Sequence, residues 1–126
     1  MKTYRVALFA LVILVATLAC VSSPATTAPS YDETIKAGIT VSECAIGNNY
    51  TTISGSLRNN TSVTLSFVKL KVFLENNGVV VDTDSTYAVG SEGLAPGETT
   101  QWEWMFGPNP PKSDKCGASL LDYRVK

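Results

Sequence analysis

The chain contains no histidine. That absence removes the commonest general base and the commonest transition-metal ligand together, so a serine triad here would have no base. No Cys-x-x-Cys spacing occurs, which argues against a zinc ribbon or a redox dithiol. No stretch is basic enough to neutralise a row of phosphates, and nucleic acid is excluded as a partner on that ground. A calcium loop begun at Asp82-x-Asp84 would need Gly at its sixth place and Glu at its twelfth, but finds Tyr87 and Gly93. One enzymatic route stays open, a pair of carboxylates as in glycoside hydrolysis, drawn from eleven acidic residues that share no telling spacing.

The 126 residues hold no repeat at a fixed period, so one domain is the limit. Nor is there an apolar run of the roughly 20 residues that a bilayer core demands. What the N-terminus does carry is Met1-Lys2-Thr3-Tyr4-Arg5, short and cationic, followed by uncharged apolar sequence from Val6 to Leu18. That is the layout of a signal peptide, assigned to residues 1–19. Thr17-Leu18-Ala19-Cys20 resembles a lipobox, with Leu18 one place later than usual, and predicts lipidation of Cys20. Ordinary cleavage and an uncleaved anchor are the alternatives.

Once Lys2 and Arg5 are removed with the leader, eight basic residues face eleven acidic ones and the exported part is acidic. With Cys20 consumed by lipid, Cys44 and Cys116 are left as a pair. In an oxidising compartment they are expected to bridge; two separate small apolar side chains are the alternative. Residues 20–36, rich in Ser, Thr and Pro, read as a flexible tether that lifts residues 37–126 off a membrane surface.

From Ile39 onward the pattern is short β-branched runs punctuated by Gly, Asn and Pro, which predicts an all-β, antiparallel sandwich of six to seven strands. Ile39 to Ile46 and Tyr50 to Leu57 form the first two, around Gly47-Asn48-Asn49. The third has the clearest period of two: Val68, Leu70, Val72 and Leu74 on one face, Lys69, Lys71, Phe73 and Glu75 on the other. Asn76-Asn77-Gly78 makes a tight hairpin into Val79 to Asp84, and Thr86 to Val89 is a further edge candidate. Leu94-Ala95-Pro96-Gly97-Glu98 is a turn with Pro second and Gly third. Thr99 to Phe106 alternates again, and Ser119 to Val125 closes the chain.

The runs Ile53 to Asn60 and Phe67 to Asn76, followed by Leu94-Ala95-Pro96-Gly97-Glu98, resemble the FxLYD family over roughly Gly38 to Lys126. The eponymous motif is degraded, since Val72, Leu74, Glu75 and Asn76 stand where Phe, Leu, Tyr and Asp would be. The resemblance implies an immunoglobulin-like sandwich on secreted or lipid-anchored prokaryotic proteins, with no established activity and no catalytic or binding residue to carry over.

Three Asn-x-Ser/Thr acceptors, at Asn49, Asn59 and Asn60, fall in predicted turns of an exported chain and are candidate glycosylation sites. Trp102, Trp104 and Phe106 share a face of their strand, and three large aromatics are many for so thin a core. Trp102, Trp104, Tyr87 and Phe73 are therefore candidate exposed contacts of the kind that meet a glycan or protein, against the alternative that the Trp102 face fills the interior. No catalytic, cofactor-binding or metal-ligating residue is assigned. The sequence predicts a surface binding or structural module, not an enzyme, held to the outer face of the cell membrane by lipid on Cys20 or released outside the cell, and meeting an envelope protein or glycan. A small envelope hydrolase or metal-dependent enzyme and a passive spacer are the competing readings.

Overall fold

The computed structural model of the chain describes residues 30–126. The predicted leader, Cys20 and most of the predicted tether lie outside the described residues. Six strands follow a short helix: α1 (Asp32–Ala37), β1 (Ile39–Ile46), β2 (Thr51–Arg58), β3 (Leu65–Asn76), β4 (Val79–Tyr87), β5 (Thr99–Phe106) and β6 (Lys115–Val125). All pairings are antiparallel, in one sheet of order β1-β2-β5 and a second of order β4-β3-β6. β2 pairs with β5 and β3 with β6, each skipping intervening strands. This is the crossing of an immunoglobulin-like sandwich.

The core is what the period of two selected. Val68, Leu70, Val72 and Leu74 of β3 are fully buried and share one cluster with Ile53 and Leu57 of β2 and with Trp102 and Phe106 of β5. Each such aliphatic side chain contributes about 1.5–3 kcal/mol when taken from water. Asn77 and Gly78, both with positive φ, form the two-residue turn between β3 and β4, the backbone that this twist requires. In the Ala95–Glu98 turn Gly97 is also left-handed, and the Glu98 N–H closes on the Ala95 carbonyl at 3.1 Å.

β1 alternates in two halves. Val41 pairs with Gly55 and Glu43 with Ser54, so Ser42 is an extra residue in the ladder. This bulge resets the parity: Ile39 and Val41 before it, and Cys44 after it, share the inward face. Cys44 is thereby aimed across the sandwich at Cys116 of β6, and the two are disulfide-bonded with Cα atoms 5.8 Å apart. The bridge closes 72 residues and ties one sheet's edge to the other's, worth roughly 4 kcal/mol in the chain-entropy account.

Three boundaries differ from the sequence reading. The tether was expected to run through residue 36, but Asp32–Ala37 is helical and Ile35 is fully buried in the core, so the folded unit begins before Ala37. Thr86 to Val89 is no separate edge strand: β4 runs on to Tyr87, after which Ala88 and Val89 turn inward and are buried. β6 starts at Lys115, four residues early, because Cys116 must reach the ladder opposite Leu74. Among the described residues no helix is long and apolar enough to cross a membrane.

Candidate binding face

The outward face of the β4-β3-β6 sheet is set by β3, whose inward residues are all aliphatic. Rows across the ladder place Tyr87, Lys69 and Asp122 together, then Ser85, Lys71 and Ser119, then Thr83, Phe73 and Gly117. Two irregularities shape its end. Leu121 has no partner between the Leu70–Leu120 and Lys69–Asp122 pairs, and the extra residue turns Asp122 and Arg124 outward while Tyr123 packs inward. On β3, Phe67 adopts φ 48° beside a second register shift, a left-handed conformation costly for a bulky side chain. Its N–H donates to the Gly90 carbonyl at 3.0 Å, anchoring the bulge to the loop after β4.

The result is an alternating row of aromatic and cationic groups. Phe67 and Tyr87 meet edge to face, ring centroids 6.5 Å apart at 80°. The Arg124 guanidinium lies 5.0 Å from the Phe67 centroid and Lys69 Nζ 5.6 Å from that of Tyr87. Both rings face solvent, Phe67 at 37% and Tyr87 at 56% exposure. Among the described residues the only opposite charges within 4 Å are Lys36 and Glu33, so no carboxylate holds Lys69 or Arg124. Asp122, in the row of Lys69, accepts the N–H of Tyr123 through Oδ1 at 2.9 Å.

Of the four aromatics predicted to be exposed contacts, Tyr87 is in this patch and the other three are elsewhere. Trp102 is buried; it lies across Gly55, where a Cβ would come 2.7 Å from its ring. Trp104 is half-buried against the core. Phe73 shares the outward face but is half-buried, its ring covering Gly117 on the neighbouring strand, so that no Cβ could be accommodated there. Trp102 fills the interior, as the alternative reading had it, and Trp104 and Phe73 are corrected from contact residues to packing residues; glycines opposite Trp102 and Phe73, Gly55 and Gly117, admit rings that alternation alone left without a place, while Trp104 packs opposite Ile53. Phe67 was missed. The outward parity of Lys69 and Lys71 extends one step back to it, and that was the available signal.

The predicted glycan acceptors also divide. Asn59 is fully buried, and its Nδ2 donates to the carbonyls of Val63 and Leu94, each at 2.8 Å. Its Oδ1 accepts from the N–H and the hydroxyl of Thr61, at 3.0 and 2.7 Å. The nitrogen that would carry a sugar is spent inside the fold, so Asn59 is corrected from acceptor to structural hub. Asn49 and Asn60 are exposed.

The competing enzymatic reading needs a concave acid pair. Glu92 and Glu98 do line one cavity of about 330 Å³ with Val89, Leu94 and Thr100. Each already has work in the backbone: Glu92 Oε1 accepts from the Gly90 N–H at 3.0 Å, and Glu98 Oε2 from that of Ala95 at 2.8 Å. Hydrogen bonds from its own N–H and from Gly90 hold the Glu92 carboxyl below its usual range, the reverse of what a general acid needs. Among the described residues no three His, Cys, Asp or Glu side chains cluster as metal ligands.

Comparison with protein-family models, curated proteins and solved structures finds no match to this chain.

Proposed function

We propose that the chain is an exported binding module, anchored by lipid on Cys20 to the outer face of a membrane and presenting its β4-β3-β6 face to another envelope protein or glycan. The observation that carries this reading is the Phe67–Tyr87 pair, two solvent-facing rings flanked by Lys69 and Arg124. A sandwich buries aromatic surface when it can; a pair left in water beside cations that no carboxylate holds supports a contact surface. The strained φ of Phe67 points the same way, since backbone strain of this kind concentrates where a side chain must be held for a ligand. The order of strands and turns that resembles the FxLYD family fits a domain of this kind. The exposed Asn49 and Asn60 stay candidate glycan acceptors.

Two measurements on the protein from its native host test the reading. Intact mass without reductant should start at Cys20 with added lipid; a mass beginning at Met1 or lacking lipid removes the anchor. Retention of the detergent-solubilised protein on washed, delipidated envelope material, where the lipid on Cys20 holds nothing, should fall when Phe67 and Tyr87 are both changed to Ala. Undiminished retention of that variant would leave the domain a spacer.

A further inference from the structure

The cations of the exported part are not spread evenly. It carries eight basic residues against eleven acidic, yet Lys69, Lys71 and Arg124 all stand on the outward face of β3 and β6, around two exposed rings. That face is therefore the place where an acidic protein attracts an anion. It is an open sheet surface; two cavities among the described residues lie elsewhere, one lined by Val89, Glu92, Leu94 and Thr100, the other by Ile46, Asn48, Pro110 and Lys112. A flat site with aromatic platforms suits a flat ligand whose apolar face can stack, and the cations at its two ends suit one whose charges repeat.

We propose that Phe67, Tyr87, Lys69 and Arg124 bind an acidic polysaccharide, a sugar ring stacking on the aromatic pair while carboxylates of that and the adjoining sugars meet Lys69 and Arg124. This rests on the binding-face reading above and gives its ligand a chemical class. The polymer argument follows from the area: four side chains make a weak contact, and many tethered copies engaging one repeating chain convert weak contacts into retention. Asp122, which accepts the Tyr123 amide and keeps its charge, lies in the row of Lys69, and with Glu75 further along β3 it sets two carboxylates against Lys69, Lys71 and Arg124 on this face, neither carboxylate within 4 Å of Lys69 or Arg124.

The test uses the full chain in mild detergent, with polygalacturonate as carboxylated probe and dextran as neutral control, read by affinity electrophoresis. Polygalacturonate should retard the protein, increasingly so at low salt, and dextran should not. The Lys69→Glu, Arg124→Glu pair should weaken retardation at least tenfold. Phe67→Gly should weaken it similarly while leaving the thermal midpoint unchanged or higher, because glycine accepts φ 48° without strain. Retardation that survives both variants overturns the assignment of the site. Equal retardation by dextran, lost in Phe67→Gly, overturns the acidic ligand but keeps the aromatic binding face. No retardation by either polymer, with envelope retention still dependent on Phe67 and Tyr87, overturns the polysaccharide in favour of a protein partner; if that dependence is also absent, the binding-face reading falls with it.

Discussion

The ring of Phe73 covers Gly117, its partner across the β3–β6 ladder, in space that a Cβ on Gly117 would need. Gly117→Ala must therefore displace the ring or part the strands, at a cost of about 1–3 kcal/mol. The two positions should be coupled: in a Phe73→Ala background the added methyl becomes nearly harmless. Urea denaturation of the four proteins in this cycle checks it, and an equal cost for Gly117→Ala in both backgrounds would refute the contact.

Asn59 joins the end of β2 to two loops through its side chain and through backbone bonds to Gly97 and Glu98. Asn59→Ala leaves the Val63 and Leu94 carbonyls without these donors, so a loss of about 3 kcal/mol is expected. Asn60→Ala, at an exposed position, should stay within about 0.5 kcal/mol of wild type. Peptide mapping should find no glycan on Asn59.

The alternation of β3, the Asn77-Gly78 turn, the Pro96-Gly97 turn and the cysteine pair were legible because each is a local rule: a period of two, a positive φ, an even count. The bulges at Ser42, Phe67 and Leu121 were not, since an extra residue is visible only against the strand it fails to pair with. Their consequences were hidden with them. Without the Leu121 bulge Arg124 would not face outward beside Phe67, so the candidate face could not be assembled from spacing. Asn59 misled for a related reason: Asn-x-Thr is both a glycan acceptor and a side-chain turn, and only burial separates them.

β4 is an edge strand with Val79, Val80 and Val81 exposed, a template for pairing with another chain. Its Thr83 and Ser85 amides donate instead to the carboxylates of Asp82 and Asp84, at 2.9 and 2.8 Å. Asp82→Val with Asp84→Val removes both the charge and these acceptors, and should drive self-association, seen by light scattering after gel filtration. A variant that stays at the wild-type mass would show that the carboxylates do not guard this edge.

Glu92 braces Gly90, whose carbonyl in turn holds the Phe67 amide. Hydrogen bonds from its own N–H and from Gly90 lower its folded pKa, so the stabilisation is present above the ordinary carboxylate value of about 4.3 and is lost as pH falls through the lower folded value. Glu92→Gln should flatten the acid limb of stability below the ordinary carboxylate value relative to wild type. Identical acid limbs would mean that the brace carries no linkage.

On the proposed binding face Phe67 is kept in a left-handed conformation for contact rather than for folding. Measuring the urea stability and the envelope retention of Phe67→Gly side by side tests it most directly. Stability should equal wild type or exceed it by up to about 1 kcal/mol, because the left-handed strain is relieved, together with at least a tenfold loss of retention. A stability loss of about 2 kcal/mol or more with retention intact would make Phe67 a packing residue and remove it from the binding face.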